Sequence, residues 1–176
     1  GFLEDPHNYL YNWDKFHSPC QFYGVTCDND SGDVIGISLS NISLSGTISS
    51  SFSLLQQLRT LELGANSISG TVPAAMANCT NLQVLNLSMN SLTGQLPDLS
   101  ALLNLQVLDL STNSFNGAFP AWVSKLSGLT QLGLGENNFD EGDVPESIGN
   151  LKNLTWLFLG QCNLRGEIPA SVFDLV

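Results

Sequence analysis

The sequence predicts an α/β solenoid, in which short parallel strands stack along one concave face and a separate N-terminal segment caps the stack. Three observations predict it. A glycine–proline signature recurs as Ile68-Ser69-Gly70-Thr71-Val72-Pro73, Leu92-Thr93-Gly94-Gln95-Leu96-Pro97, Phe115-Asn116-Gly117-Ala118-Phe119-Pro120 and Leu164-Arg165-Gly166-Glu167-Ile168-Pro169. A second signature, Leu-x-Leu-x-x-Asn, appears at Leu61/Leu63/Asn66, Leu85/Leu87/Asn90, Leu108/Leu110/Asn113 and Leu132/Leu134/Asn137, with Leu157/Leu159/Cys162 as a variant. The composition is also unusual: charged residues make up 12% of the 176, where ordinary globular domains carry about a quarter.

The repeats begin near Val34, Leu58, Leu82, Leu105, Leu129 and Leu154, at intervals of 24, 24, 23, 24 and 25 residues. A fixed period in this range means a repeat architecture. The first copy is weaker, with Ile37-x-Leu39 and with Ile42 in the asparagine place. Alternate side chains of a strand face opposite ways, so both leucines of Leu-x-Leu point inward. No single repeat can bury its own apolar face, and stacking joins them into one core. The recurring asparagine sits where the chain leaves the strand, and its amide can satisfy backbone groups of adjacent turns. Glycine permits the following bend, and proline fixes φ after it. Neutral Asn and Ser solvate the loops. Residues 1–33 do not fit the period and are assigned as the capping segment; residues 34–176 hold about six repeats.

The same alternation predicts which residues face out on the concave sheet. The column between the leucines reads Ser38, Glu62, Asn86, Asp109, Gly133, Phe158. The preceding column reads Gly36, Thr60, Val84, Val107, Gln131, Trp156, and the following one Ser40, Gly64, Ser88, Ser111, Gly135, Gly160. The small residues of the following column predict an open floor for an extended chain. Trp156 and Phe158 are forced outward by Leu157 and Leu159. They read either as binding anchors or as packing for a further repeat. Glu62, Asp109 and Glu136 read either as contacts for a cationic group or as ordinary solvated charges.

Several functions are excluded. The net charge of −11 opposes binding to nucleic acid and to anionic membrane surfaces. No run of 18 apolar residues marks a transmembrane helix, and the first residues lack the pattern of a signal peptide. His7 and His17 both lie in the capping segment, so a Ser-His-Asp set on the concave face is excluded and a zinc site is dismissed. Gly133-Leu134-Gly135 lacks the third glycine of a dinucleotide loop, and Asp140-Glu141-Gly142-Asp143 has no EF-hand spacing. The reading is no catalysis in this chain, no metal and no cofactor.

The repeat is identified as the leucine-rich repeat, and its Leu-x-Gly-x-Ile-Pro extension resembles the plant-specific subclass. The capping segment, with Trp13 and then Cys20-x6-Cys27 holding Gly24-Val25-Thr26, resembles the N-terminal cap of plant leucine-rich-repeat receptors. Tyr23 stands where that family usually has tryptophan. The stretch from Asn138 through Asp143-Val144-Pro145 to Gly149, the run Leu154-Thr155-Trp156-Leu157-Phe158-Leu159, and Gly36-Ile37-Ser38-Leu39 followed by Leu44-Ser45-Gly46-Thr47-Ile48 resemble peptide-hormone receptor-like kinases, including those for C-terminally encoded peptides.

The resemblance implies a parallel concave sheet with 3-10 and irregular segments outside, a helical cap, and a Cys20–Cys27 disulfide. Cys79 and Cys162 occupy unrelated repeat slots and read as buried free thiols. The resemblance also implies the extracellular side of a plasma membrane, with a transmembrane helix and a Ser/Thr kinase outside this chain. Its partners would be a secreted peptide along the inner face and a co-receptor leucine-rich-repeat kinase. Trp156, Phe158 and Gln131 are the first candidates for the peptide, followed by Asp109, Glu62 and Glu136. Sequons at Asn29, Asn41, Asn78 and Asn153 fit a secreted glycoprotein. Asn86 fits least, because a glycan there would obstruct the concave face. With no C-terminal cap after Phe173-Asp174-Leu175-Val176, the chain is expected to be a fragment. Two other readings share these features: a secreted inhibitor of microbial polygalacturonase, and a scaffold fragment with no ligand of its own.

Overall fold

A computed structural model describes residues 2–175, without the side chains of Phe2, Leu3 and Asp174. Gly1 and Val176, the outer ends of the two expected segments, lie outside the described residues. The molecule is a curved stack of parallel-strand turns. Its main sheet has seven strands, starting with Val25–Cys27 antiparallel to Val34–Ser38. Thr60–Glu62, Val84–Asn86, Val107–Asp109, Gln131–Gly133 and Trp156–Phe158 then follow in parallel. The register aligns every copy of the repeat. Gly36, Thr60, Val84, Val107, Gln131 and Trp156 pair in sequence, and so do Ser38, Glu62, Asn86, Asp109, Gly133 and Phe158.

Where the glycine–proline signature begins, the chain pairs a second time. Ser45–Thr47, Ser67–Gly70, Ser91–Gln95 and Ser114–Asn116 form a parallel sheet, and Phe2–Glu4 lies antiparallel on its first strand. Gly70, Gly94, Gly117 and Gly166 turn here at φ of 77 to 81°, a region glycine enters without steric cost. The sheet breaks at the fifth repeat, where Gly142–Asp143 pairs only with Leu164–Arg165. That break coincides with the longest interval in the sequence, 25 residues.

On the outer side five of the described turns close through a 3-10 helix: Ser50–Leu54, Ala74–Asn78, Ala121–Lys125, Glu146–Asn150 and Ala170–Asp174. Four of these follow a proline at the N-cap, Pro73, Pro120, Pro145 and Pro169. The 23-residue repeat is different. There Asp98 accepts from the amide of Ser100 at 2.8 Å, and the segment turns without a helix.

The core runs the length of the stack. Leu58, Leu61, Leu63, Leu82, Leu85, Leu87, Leu105, Leu108, Leu110, Leu129, Leu132 and Leu134 are all 0% exposed. Each such side chain contributes about 1.5–3 kcal/mol through burial. Leu157 and Leu159 are only half-buried, because the described structure has no turn beyond them.

Beside the leucines runs the asparagine ladder. Asn66, Asn90, Asn113 and Asn137 each donate through Nδ2 to a carbonyl of the preceding repeat: Leu39, Leu63, Leu87 and Leu110 respectively. Their Oδ1 atoms accept from Leu44, Ile68, Leu92 and Phe115 amides. Cys162 donates only within its own repeat, to Leu159 O at 2.9 Å.

The capping segment is held by Asn12, whose Oδ1 accepts from Tyr23 N and whose Nδ2 donates to Gln21 O. Trp13 stacks on Phe22 with centroids 5.2 Å apart and donates through Nε1 to Tyr23 O. The Cys20–Cys27 disulfide is formed. The helical part of the cap is the single 3-10 turn Pro19–Gln21, with turns rather than a longer helix before Trp13. Cys79 and Cys162 are buried free thiols.

Candidate functional site

Five of the six expected contact residues lie on strands of the main sheet and Glu136 in the bend that follows Gln131–Gly133, but their surroundings differ from the sequence expectation. Glu62 is half-buried and accepts from Ser38 Oγ through Oε2 at 2.7 Å. Asp109 accepts from Ser111 N at 3.1 Å and Ser111 Oγ at 2.6 Å, both through Oδ1. Asn86 makes the same pair of bonds to Ser88. Glu136 is exposed and accepts from Thr112 Oγ1 at 2.8 Å. Gln131 is exposed, beside Trp156 in the register. Trp156 is 42% exposed, and Phe158 is half-buried.

The small-residue column is an open floor only at its two ends. Ser40 and Gly160 are exposed, whereas Gly64, Ser88, Ser111 and Gly135 are buried, and a larger side chain of the next turn covers Gly64 and Gly135. A Cβ on Gly64 would lie 2.8 Å from Asn86 Oδ1, and one on Gly135 would lie 2.8 Å from the Phe158 ring. The middle column closes likewise at Gly133. A Cβ there would collide with Asp109 Oδ1 on one side and lie 3.0 Å from Trp156 Cζ3 on the other. The glycines are seats for side chains of adjacent turns.

Trp156 and Phe158 therefore form a joined platform, with ring centroids 6.2 Å apart and planes inclined at 44°. Phe158 lies across Gly135 and Gly160, while Trp156 leans diagonally toward Gly133. Sequence reasoning placed both rings outward but missed that Asp109 and Trp156 meet over Gly133. The available signal was the coincidence of a glycine with an acid on one side in register and an aromatic on the diagonal.

One residue further along the chain, Asn41, Ala65, Met89, Thr112, Glu136 and Gln161 all have φ between 54 and 57°. This left-handed geometry is unusual for residues other than glycine or asparagine, and nothing in the composition of that column announced it. It turns the chain off each strand toward the ladder asparagine.

The sequons fall in different settings. Asn29, Asn41, Asn78 and Asn153 are exposed, and Asn153 also donates to Ser127 O at 2.9 Å. Asn86 is half-buried on the concave face. The acidic stretch of the fifth repeat is exposed, and Glu141 meets Arg165 at 3.0 Å. Among the described residues no cluster of His, Cys, Asp and Glu has the arrangement of a metal site, and no helix is long and apolar enough to cross a membrane. A cavity of about 710 Å³ lies away from the main sheet between the outer turns of the last two repeats; its carboxylates Asp143, Glu146 and Glu167 are exposed. The concave sheet, with its joined rings and hydrogen-bonded carboxylates, is the better candidate.

A capped solenoid of parallel-strand turns, with an asparagine ladder beside its leucine core, defines a leucine-rich-repeat module. Family models agree: "Leucine rich repeat N-terminal domain" matches residues 1–28, and leucine-rich-repeat models match residues 57–79, 81–103 and 103–164. The chain is 56% identical over 94% of its length to the receptor protein-tyrosine kinase CEPR2 of Arabidopsis thaliana, of which it spans 17%. It is 31% identical to the ectodomain of the Arabidopsis receptor kinase SOBIR1, with TM-score 0.76, covering 83% of this chain and 84% of that one. It superposes with TM-score 0.72 and 30% identity on the Arabidopsis receptor kinase HAESA, solved with the peptide hormone IDA and the co-receptor SERK1; this covers 98% of the chain and 34% of HAESA. The chain belongs to the leucine-rich-repeat family, among the ectodomains of plant receptor kinases.

Proposed function

We propose that this chain is the ligand-recognising part of a plant receptor kinase that perceives a secreted peptide outside the plasma membrane and signals with a co-receptor kinase. The observation that carries the reading is the 56% identity to a receptor kinase across nearly the whole chain, which favours it over a polygalacturonase inhibitor. In this reading residues 1–33 are the capping segment and residues 34–176 the repeats that carry the ligand face. A membrane-spanning helix and a protein kinase belong to the rest of the protein. The resemblance implies a Ser/Thr kinase, whereas relatives carry both tyrosine-kinase and serine/threonine-kinase names.

The peptide lies extended across the strands. Six strands from Val34–Ser38 to Trp156–Phe158 are five steps of about 4.8 Å, roughly 24 Å in all. About seven extended residues cover that distance. Trp156 and Phe158 anchor the peptide, Gln131 offers hydrogen bonds beside them, and Asp109, Glu62 and Glu136 meet its polar groups. Asn29, Asn41, Asn78 and Asn153 carry glycans, while Asn86 stays bare on the ligand face. Calorimetric titration of the ectodomain with candidate secreted peptides tests the reading, alongside Trp156→Ala and Phe158→Ala. Loss of about 2 kcal/mol in either variant is the size expected of a buried aromatic anchor. Unchanged affinity in both removes the anchor assignment.

A further inference from the structure

We infer that Asp109 and Trp156, which meet over the buried Gly133, form a notch along their outer edge that takes a basic side chain of the ligand. The inference rests on the peptide reading only for the molecule that carries the base. Three consecutive strands build the notch. Asp109 and Gly133 pair directly in register, and Trp156 reaches Gly133 from one strand further on. A carboxylate and an indole thus converge on one bare Cα.

The two walls ask for the same guest. Both internal bonds of Asp109 fall on Oδ1, which leaves Oδ2 to an incoming donor. A cation near an indole face gains from the ring quadrupole, and tryptophan is the best aromatic for this. A guanidinium or ammonium satisfies both groups at once. An apolar guest would strip water from the carboxylate and return no hydrogen bond. The surrounding field has the same sign: none of the outward columns of the sheet contains Lys or Arg, and the chain carries 16 acids against 5 bases.

The fold supplies its own control. In the neighbouring turn Asn86 occupies the slot of Asp109 and makes the same two bonds to its serine. Asp109→Asn therefore keeps the local structure and removes only the charge.

The test uses Nα-acetyl-arginine amide and its neutral counterpart Nα-acetyl-citrulline amide, titrated into the 15N-labelled chain. The chain has 3 tryptophans, and loss of one indole signal in Trp156→Phe assigns the reporter. The arginine probe should shift the Trp156 indole saturably and bind at least about fivefold more tightly than citrulline. Asp109→Asn should reduce arginine to the citrulline level. Equal binding of the two probes, or arginine binding indifferent to Asp109→Asn, overturns the notch. The two readings fail separately. If a secreted peptide binds but ignores Asp109→Asn, the notch falls and the peptide reading stands. If arginine fills the notch but no secreted peptide binds, the reverse holds.

Discussion

Replacing Asn113 by alanine tests the ladder where its bonds can be counted. Asn113 Nδ2 donates to Leu87 O, Leu110 O and Ser111 O at 3.0, 3.2 and 3.2 Å, and its Oδ1 accepts from Leu92 N at 3.0 Å. The three carbonyls each keep another donor: Asn90 Nδ2, Asn137 Nδ2 and the Met89 amide. The Leu92 amide keeps none among the described bonds, and Leu92 is 0% exposed. An orphaned buried donor costs about 1–3 kcal/mol, and each weakened carbonyl adds roughly 0.5 kcal/mol. The expected loss is about 3 kcal/mol, or roughly 6–12 °C in Tm for a chain of this size. Urea unfolding followed by circular dichroism reads the total, and hydrogen exchange at the Leu92 amide reads the location. Asn104→Ala is the comparison, since exposed Asn104 gives one bond, to Thr80 O at 2.9 Å. If Asn113→Ala costs under 1 kcal/mol, or no more than Asn104→Ala, the ladder does not hold the turns together.

Cys162→Asn should stabilise the chain by about 1 kcal/mol, because an Oδ1 would become available to the Phe139 amide, which has no partner among the described bonds; a lower urea midpoint contradicts this. Thr112 holds φ at 54° with a β-branched side chain, so Thr112→Asn should raise the same midpoint by about 1 kcal/mol, and a fall would locate the strain elsewhere. Burial pushes the Cys79 thiol up from its ordinary 9.0, so at pH 8 iodoacetamide should label it only on unfolding; native labelling at the rate of a free thiol refutes that. In the cap loop the Ser31 amide, then the Asp30 amide, hold the Asp28 carboxyl below its ordinary 3.8. A depressed folded pKa stabilises above the unfolded value and is lost as pH falls through the folded one, so an NMR titration midpoint above 3.8 would contradict the bonding.

The sequence disclosed much of this fold because the repeat makes one turn predict the next. The columns of Thr60, Glu62, Gln131 and Trp156 followed from alternation alone, and the pairing keeps them in register. The missing 3-10 helix of the third repeat and the broken second sheet of the fifth coincide with intervals of 23 and 25. What stayed hidden was contact between turns. Alternation states which way a side chain leaves the sheet, but not where a long side chain comes to rest. Phe158 leaves outward and then lies down on Gly135 and Gly160.

That rule reverses the meaning of glycine on the inner face. Read within one turn, Gly64, Gly133 and Gly135 look like empty places offered to a ligand. Read across turns, each is filled by a neighbour: Asn86 over Gly64, Phe158 over Gly135, and Asp109 with Trp156 about Gly133. At Gly133 two side chains of different chemistry meet, one a carboxylate and one an indole. At Gly64 the neighbour is an amide engaged with Ser88, and at Gly135 a hydrocarbon ring. Selectivity on this face therefore resides in pairs of side chains from different turns. Gly133→Ala follows as the sharpest perturbation. One methyl group, inert in itself, must displace Asp109 or Trp156, so it should abolish basic-probe binding while the buried leucine stack stays intact.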